Sequence, residues 1–180
     1  NVHEIRARVK ALLKKKTFLD RLYAGPEGNV HSAITDILSG LANYSYFKYF
    51  LEKEIKRSTR NSRPIALMML ELTDLKHKPN CVGHLVGEEL LKELGTLIKE
   101  NIRDIDLGAR YKEKQFAIVL ANTGGNGAAF VAERLKGMIQ NHFSISTENI
   151  SAESSVLNIG IAVYPTYADS IEHLINKTKI

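Results

Sequence analysis

The sequence predicts an α/β sandwich with helices packed on a mixed sheet. Short apolar runs bounded by breakers or polar residues have the length of strands. Longer segments between them carry apolar residues at steps of three and four, the period of an amphipathic helix. Read together from residue 44 onward, the order is helix–strand–helix–strand–strand–helix–strand–helix, which suits helices layered on one sheet.

Ahead of that series, Asn1 to about Tyr23 reads as one helix, with a stripe formed by Ile5, Val9, Leu12, Lys16, Leu19 and Tyr23. An amphipathic helix is the simpler reading of the stripe and a coiled-coil seam the alternative. The run Lys14–Lys16 reads as a solvated face. Two glycines and a proline in Ala24–Asn29 break this helix. Tyr44 to Arg60 follows as a helix, with Tyr46, Phe47, Phe50, Leu51 and Ile55 on its core side. Pro64 ends a polar stretch, and Ile65–Leu72 (IALMMLEL) reads as a buried strand. Val82–Ile102 is helical, its face supplied by Leu85, Leu90, Leu91, Leu94, Leu97 and Ile98. Leu107–Tyr111 and Phe116–Leu120 are short strands separated by four polar residues, a hairpin. A helix over Ala128–Gln140, a strand over Val156–Tyr164 and a closing helix from Ser170 to about Lys177 complete the series.

With 180 residues, 44% hydrophobic and 25% charged, the chain suits one globular domain plus a short extension. No apolar run approaches the roughly 18 residues of a membrane-spanning helix, and the N-terminus lacks the apolar centre of a signal peptide. The one cysteine, Cys81, permits no internal disulfide and fits a reducing cytoplasm. A net charge of +5 allows an anionic partner without requiring one. The six histidines form no H-E-x-x-H, and neither a G-x-S-x-G elbow nor a Walker A loop is present. The aromatics among the basic residues of 44–60 are spaced for a helix core, so neither DNA nor a membrane is an expected partner.

Several motifs in order carry a family resemblance. Asp36-Ile-Leu-Ser-Gly-Leu-Ala-Asn43 resembles D-x-L-T-G-L-x-N, and Gly83-His-Leu-Val-Gly-Glu88 is similar to G-H-x-x-G-D. Arg110-Tyr111 and Phe116 bracket the place of R-Y-G-G-D-E-F, and Asn158–Ala162 resembles S-I-G-I-A. From about Asp36 onward the chain thus resembles a GGDEF domain, the family of diguanylate cyclases. The resemblance implies a nucleotide-cyclase, palm-like fold over 34–180, preceded by a linker helix, and a final helix cut short at Ile180.

The signature of that family is replaced. Lys112-Glu113-Lys114-Gln115 stands where Gly-Gly-Asp/Glu-Glu is expected. Side chains at 112 and 113 fill space that glycines leave for a nucleotide. Lys114 puts a cation where the family has a metal-binding carboxylate. Glu71-Leu-Thr-Asp-Leu-Lys76 occupies the D-x-D-x-F-K strand, so Thr73 lacks an acid; Pro79 and Glu88 replace guanine-binding asparagine and aspartate. These changes imply a domain that is no longer an enzyme and needs no cofactor or catalytic magnesium. Gly124-Gly125 has no acidic pair after it and reads as a loop or helix start.

A second family site is kept. Arg103-Asp-Ile-Asp106 is similar to the R-x-x-D inhibitory site that binds cyclic di-GMP, and Arg134 matches a helix arginine that closes on the ligand. An arginine fork can donate to guanine O6 and N7, and an aspartate can accept from its N1–H and amine. Taken alone, R-x-x-D would be an exposed ion pair and Arg134 a solvated residue paired with Glu133 or Glu148. Glu4–Lys14 also looks like the last helix of a receiver domain, as in bacterial two-component response regulators that join receivers to GGDEF domains. The expectation is a cytoplasmic, inactive cyclic di-GMP receptor with a protein partner and room for a homodimer. The alternatives are a ligand-free interaction or dimerisation module and a GTP-binding allosteric domain.

Overall fold

The computed structural model describes residues 34–73, 85–145 and 156–179. The chain divides at Thr35/Asp36, and every element below lies in the unit Asp36–Ile180. The expected helix over Asn1–Tyr23, its break at Ala24–Asn29 and the residues Asp74, Lys76, Pro79, Cys81, His84 and Glu148 lie outside the described residues.

Helix α1 (Tyr44–Asn61) leads to strand β1 (Ile65–Thr73), helix α2 (Leu85–Glu100), strands β2 (Leu107–Arg110) and β3 (Gln115–Leu120), helix α3 (Gly125–Ile145), strand β4 (Val156–Tyr164) and helix α4 (Ile171–Thr178). The expected order is therefore present. Local chemistry sets several boundaries. Asn43 caps α1 by accepting from the Tyr46 N–H at 2.9 Å, and Ser170 caps α4 by accepting from the His173 N–H. Helix α3 starts at Gly125 rather than Ala128 and ends at Ile145 rather than Gln140. Its first turn, Gly-Asn-Gly, has poor helix propensity, but the Gly124 carbonyl accepts from the Ala128 N–H at 2.9 Å and closes it. Gly124–Gly125 is thus a helix start.

The sheet has the order β2-β3-β1-β4, and all its strand pairs are antiparallel. Met68 stands opposite Ile118 on one side and Ile161 on the other. Among the described residues, the parallel component of the expected mixed sheet is confined to one isolated bridge between Ala42 and Ala109. That correction has a simple cause: β2 and β3 form a hairpin, and the outer strand β4 runs against β1.

Alternation along β1 divides the core in two. Ala66, Met68, Leu70 and Leu72 pack with Leu94 and Ile98 of α2 and with Ala128, Ala132, Leu135 and Ile139 of α3. Ile65, Leu67 and Met69 pack with Phe47 and Leu51 of α1 and Leu174 of α4. Helices therefore cover both sheet faces, which is why Ile65–Leu70 is apolar without alternation and buried throughout. The short β2–β3 turn and the α2–β2 turn emerge from this scaffold.

Candidate ligand site

The turn between α2 and β2 is held by its own aspartate. Asp106 accepts from the backbone N–H of Arg103 through Oδ2 at 3.2 Å and from that of Ala121, just past β3, through Oδ1 at 2.9 Å. The Asp106 N–H in turn donates to the Arg103 carbonyl at 2.9 Å. The carboxylate therefore fixes the turn to the sheet, and each oxygen keeps a further lone-pair direction for a ligand. Arg103 and Asp106 make no side-chain ion pair with each other. The Arg103 guanidinium is exposed and has no hydrogen-bond or ion-pair partner among the described residues.

Arg134 reaches the same turn from α3. Its Nη2 donates to the Asn101 carbonyl at 2.7 Å, one of the terminal carbonyls left after α2. Its partner is thus neither Glu133 nor a carboxylate elsewhere in the described residues. The contact brings Arg134, Arg103 and Asp106 to one corner of the domain, with other donor groups of Arg134 unused among the described residues.

A second polar region lies across the sheet, around the β2–β3 hairpin. Arg110 donates to the Glu113 carbonyl at 2.8 Å, the Lys112 carbonyl at 3.4 Å and Asp36 Oδ1 at 3.3 Å. Its side chain is mostly buried while doing so. Asp36 also accepts from the Ser39 N–H at 2.9 Å and hydroxyl at 2.8 Å. Burial raises the Asp36 pKa, but these bonds and the Arg110 charge outweigh it and hold the carboxyl below its ordinary value. The aspartate-serine turn at 36–39 and the hairpin are thereby joined by one guanidinium. Sequence reasoning used Arg110 only as a boundary; the signal was present in the Asp36 and Arg110 motifs but not their pairing, which spans 74 residues.

At the hairpin, Lys112, Glu113 and Lys114 are exposed, and the Lys114 carbonyl accepts from the Leu72 N–H at 3.1 Å. Glu71 of β1 faces Gln115 across the strands and accepts from its Nε2 at 3.1 Å. Glu71, Gln115, Tyr111, Lys112 and Lys179 line a cleft of about 140 Å³. The Tyr111 ring packs edge-on against Tyr44 and Phe47. Burial, then the neighbouring Tyr44, pushes its phenol pKa up. Among the described residues, no three His, Cys, Asp or Glu side chains gather as metal ligands. Among the described residues, Glu71 shares this cleft with the Gln115 amide and the side chains of Lys112 and Lys179.

Residues 33–180 match the family model described as "Diguanylate cyclase, GGDEF domain". The chain belongs to the GGDEF family. It is 30% identical to the response regulator PleD of Caulobacter vibrioides over 160 residues, 89% of this chain and 34% of that protein. The chain thus spans about a third of the length of that curated relative. Its fold is similar to the FimX GGDEF domain of Pseudomonas aeruginosa, with a TM-score of 0.69 at 20% identity over 81% of this chain and 88% of that one. It is also similar to the GGDEF domain of DgcB from Caulobacter crescentus in complex with c-di-GMP, with a TM-score of 0.68 at 18% identity, covering 81% and 83%.

In this GGDEF domain the motifs also have structural work. Gly40 adopts a left-handed conformation at φ 69°, Leu41 is buried, and Asn43 caps α1. Gly95 of α2 lies against the same turn: a Cβ there would come within 1.9 Å of the Ser39 carbonyl oxygen. Sequence reasoning did not single out Gly95, because a glycine inside a helix names no contact. Among the described residues no helix is long and apolar enough to cross a membrane.

Proposed function

We propose that this GGDEF domain is catalytically inactive and acts as a cyclic di-GMP receptor through Arg103, Asp106 and Arg134. The observation that carries the reading is their corner: a guanidinium unpaired among the described residues, a carboxylate fixed by two backbone donors, and a second guanidinium drawn to the same turn. The Arg103 fork can donate to O6 and N7 of a guanine. Asp106 can accept from its N1–H and amine, because each oxygen has spare capacity. Arg134 supplies positive charge for a phosphate.

Loss of catalysis follows from the hairpin. Lys112 and Glu113 replace residues without side chains, and Lys114 replaces a metal-binding acid in the motif that the sequence resembles. Glu71, held by Gln115, lacks partners for a divalent cation among the described residues. In this reading the domain needs no magnesium, works in the cytoplasm, and passes ligand binding to a protein partner or a second copy. The likeness to a response regulator supports placing residues 1–33 at the end of a receiver domain and its linker.

Calorimetry on the 180-residue chain with cyclic di-GMP tests the receptor role. A saturable heat that Arg103→Ala removes is expected; a wild type that gives no heat overturns it. Incubation with GTP and magnesium or manganese tests inactivity, and accumulation of cyclic di-GMP would overturn that part.

A further inference from the structure

Two hydrogen bonds lay the 101–106 turn alongside the first half of α3. Asp106 is tied to the Ala121 N–H just ahead of the helix, and Asn101 is tied to Arg134 within it. Phe130 falls between these anchors along the chain. It is four residues before Arg134, so the two side chains are neighbours on one face of α3. Its ring is 68% exposed, far more than a phenylalanine needs to be in a domain with two packed cores. Ile105, between Arg103 and Asp106, is 52% exposed, so the turn also presents an apolar side chain.

We infer that Phe130 is a base-stacking platform of this site, taking one purine face while Arg103 and Asp106 read a guanine edge. The inference rests on the proposed receptor role and adds a residue to it. Aromatic rings bind purines face to face whatever their edge pattern, and the flanking Arg134 offsets phosphate charge. The occupant is therefore a purine dinucleotide carrying phosphate, and the exposed ring, two cations and anchored carboxylate together match its chemistry. Phe130 acts on affinity; discrimination for guanine stays with Arg103 and Asp106.

The test compares wild type, Phe130→Ala, Phe130→Trp and Arg103→Ala by calorimetry with cyclic di-GMP. Stacking on one base predicts that Phe130→Ala weakens binding by roughly tenfold or more, while Phe130→Trp binds within a few-fold of wild type. The chain contains no tryptophan, so Phe130→Trp also supplies a single tryptophan whose selectively excited emission should be quenched at the same midpoint. Far-ultraviolet circular dichroism checks that the variants are folded, as an exposed site allows. Binding that Arg103→Ala abolishes but Phe130→Ala leaves unchanged would overturn the stacking role and keep the receptor. Wild type without heat would overturn both. If Phe130→Ala instead shifts the sedimentation coefficient of the ligand-free protein and leaves affinity unchanged, Phe130 belongs to a contact between copies and the inference fails.

Discussion

Asp106 anchors the α2–β2 turn and, in the proposed receptor, also reads the ligand, and the energetics of the two roles separate. Its carboxylate accepts two backbone N–H groups that would otherwise lack these partners, and each such bond to a charged acceptor contributes about 1.5–3 kcal/mol. Asp106→Ala is therefore expected to lower unfolding free energy by about 2 kcal/mol or more in urea melts, besides removing the proposed ligand contacts. Asp106→Asn keeps an acceptor oxygen and should recover part of the stability, but not a carboxylate's response to guanine. Equal stability in both variants would contradict the anchoring role. Asp36 gives a pH signature. Its pKa is depressed on folding, so its contribution is fully present above the unfolded value and is lost as pH falls through the folded one. Below about pH 4, wild type should lose stability more steeply than Asp36→Asn, as read from denaturant midpoints between pH 7 and pH 2.5. Parallel curves would show that Arg110 and Ser39 do not favour the ionised form. Residue types at these sites were legible as motifs. Their partners were not, because the Asp36–Arg110 and Asp106–Ala121 contacts join segments that spacing alone does not align.

At the scale of elements, helical periodicity and short bounded apolar runs identified every helix and strand of the described series. Periodicity failed at the ends of α3. There Gly-Asn-Gly conceals the first turn, and past Gln140 the helix runs on to where His142 lies 3.4 Å from Glu93 of α2. Sheet direction was equally hidden, since strand length and apolarity carry no polarity of pairing. Gly95 shows how packing overrides propensity. Alanine within a helix ordinarily gains about 1 kcal/mol over glycine. Here its Cβ would meet backbone, the Ser39 carbonyl oxygen at 1.9 Å, which cannot swing aside as a flexible side chain would. Overpacking of this kind costs about 1–3 kcal/mol, so Gly95→Ala should be destabilising on balance. A rise in melting temperature would show that α2 and the 36–41 turn shift apart freely.

For the whole molecule, the site and the scaffold divide cleanly. Leu67 and Met68, adjacent on β1, serve opposite cores, so the central strand is apolar on both sides from Ile65 to Leu70, and the polar groups gather at strand ends, turns and helix faces. The net charge of +5 gains meaning only from that arrangement. Uniformly spread, it would attract any anion weakly. In the proposed receptor, with Arg103 unpaired among the described residues and Arg134 at the same turn, attraction for a dianionic dinucleotide is local and short-ranged. Such attraction is sensitive to salt, because the Debye length shrinks from about 10 Å at 0.1 M to about 3 Å at 1 M. Cyclic di-GMP affinity should therefore fall severalfold between about 50 and 500 mM sodium chloride, roughly in step with screening. Arg134→Ala should bind more weakly at low salt yet lose less on addition of salt, since one of the two cations is gone. Phe130→Ala should weaken binding at every salt concentration and leave the slope intact, because stacking is largely indifferent to screening. Calorimetric titrations across that range separate the two contributions. A salt slope identical in wild type and Arg134→Ala would place the phosphates away from α3.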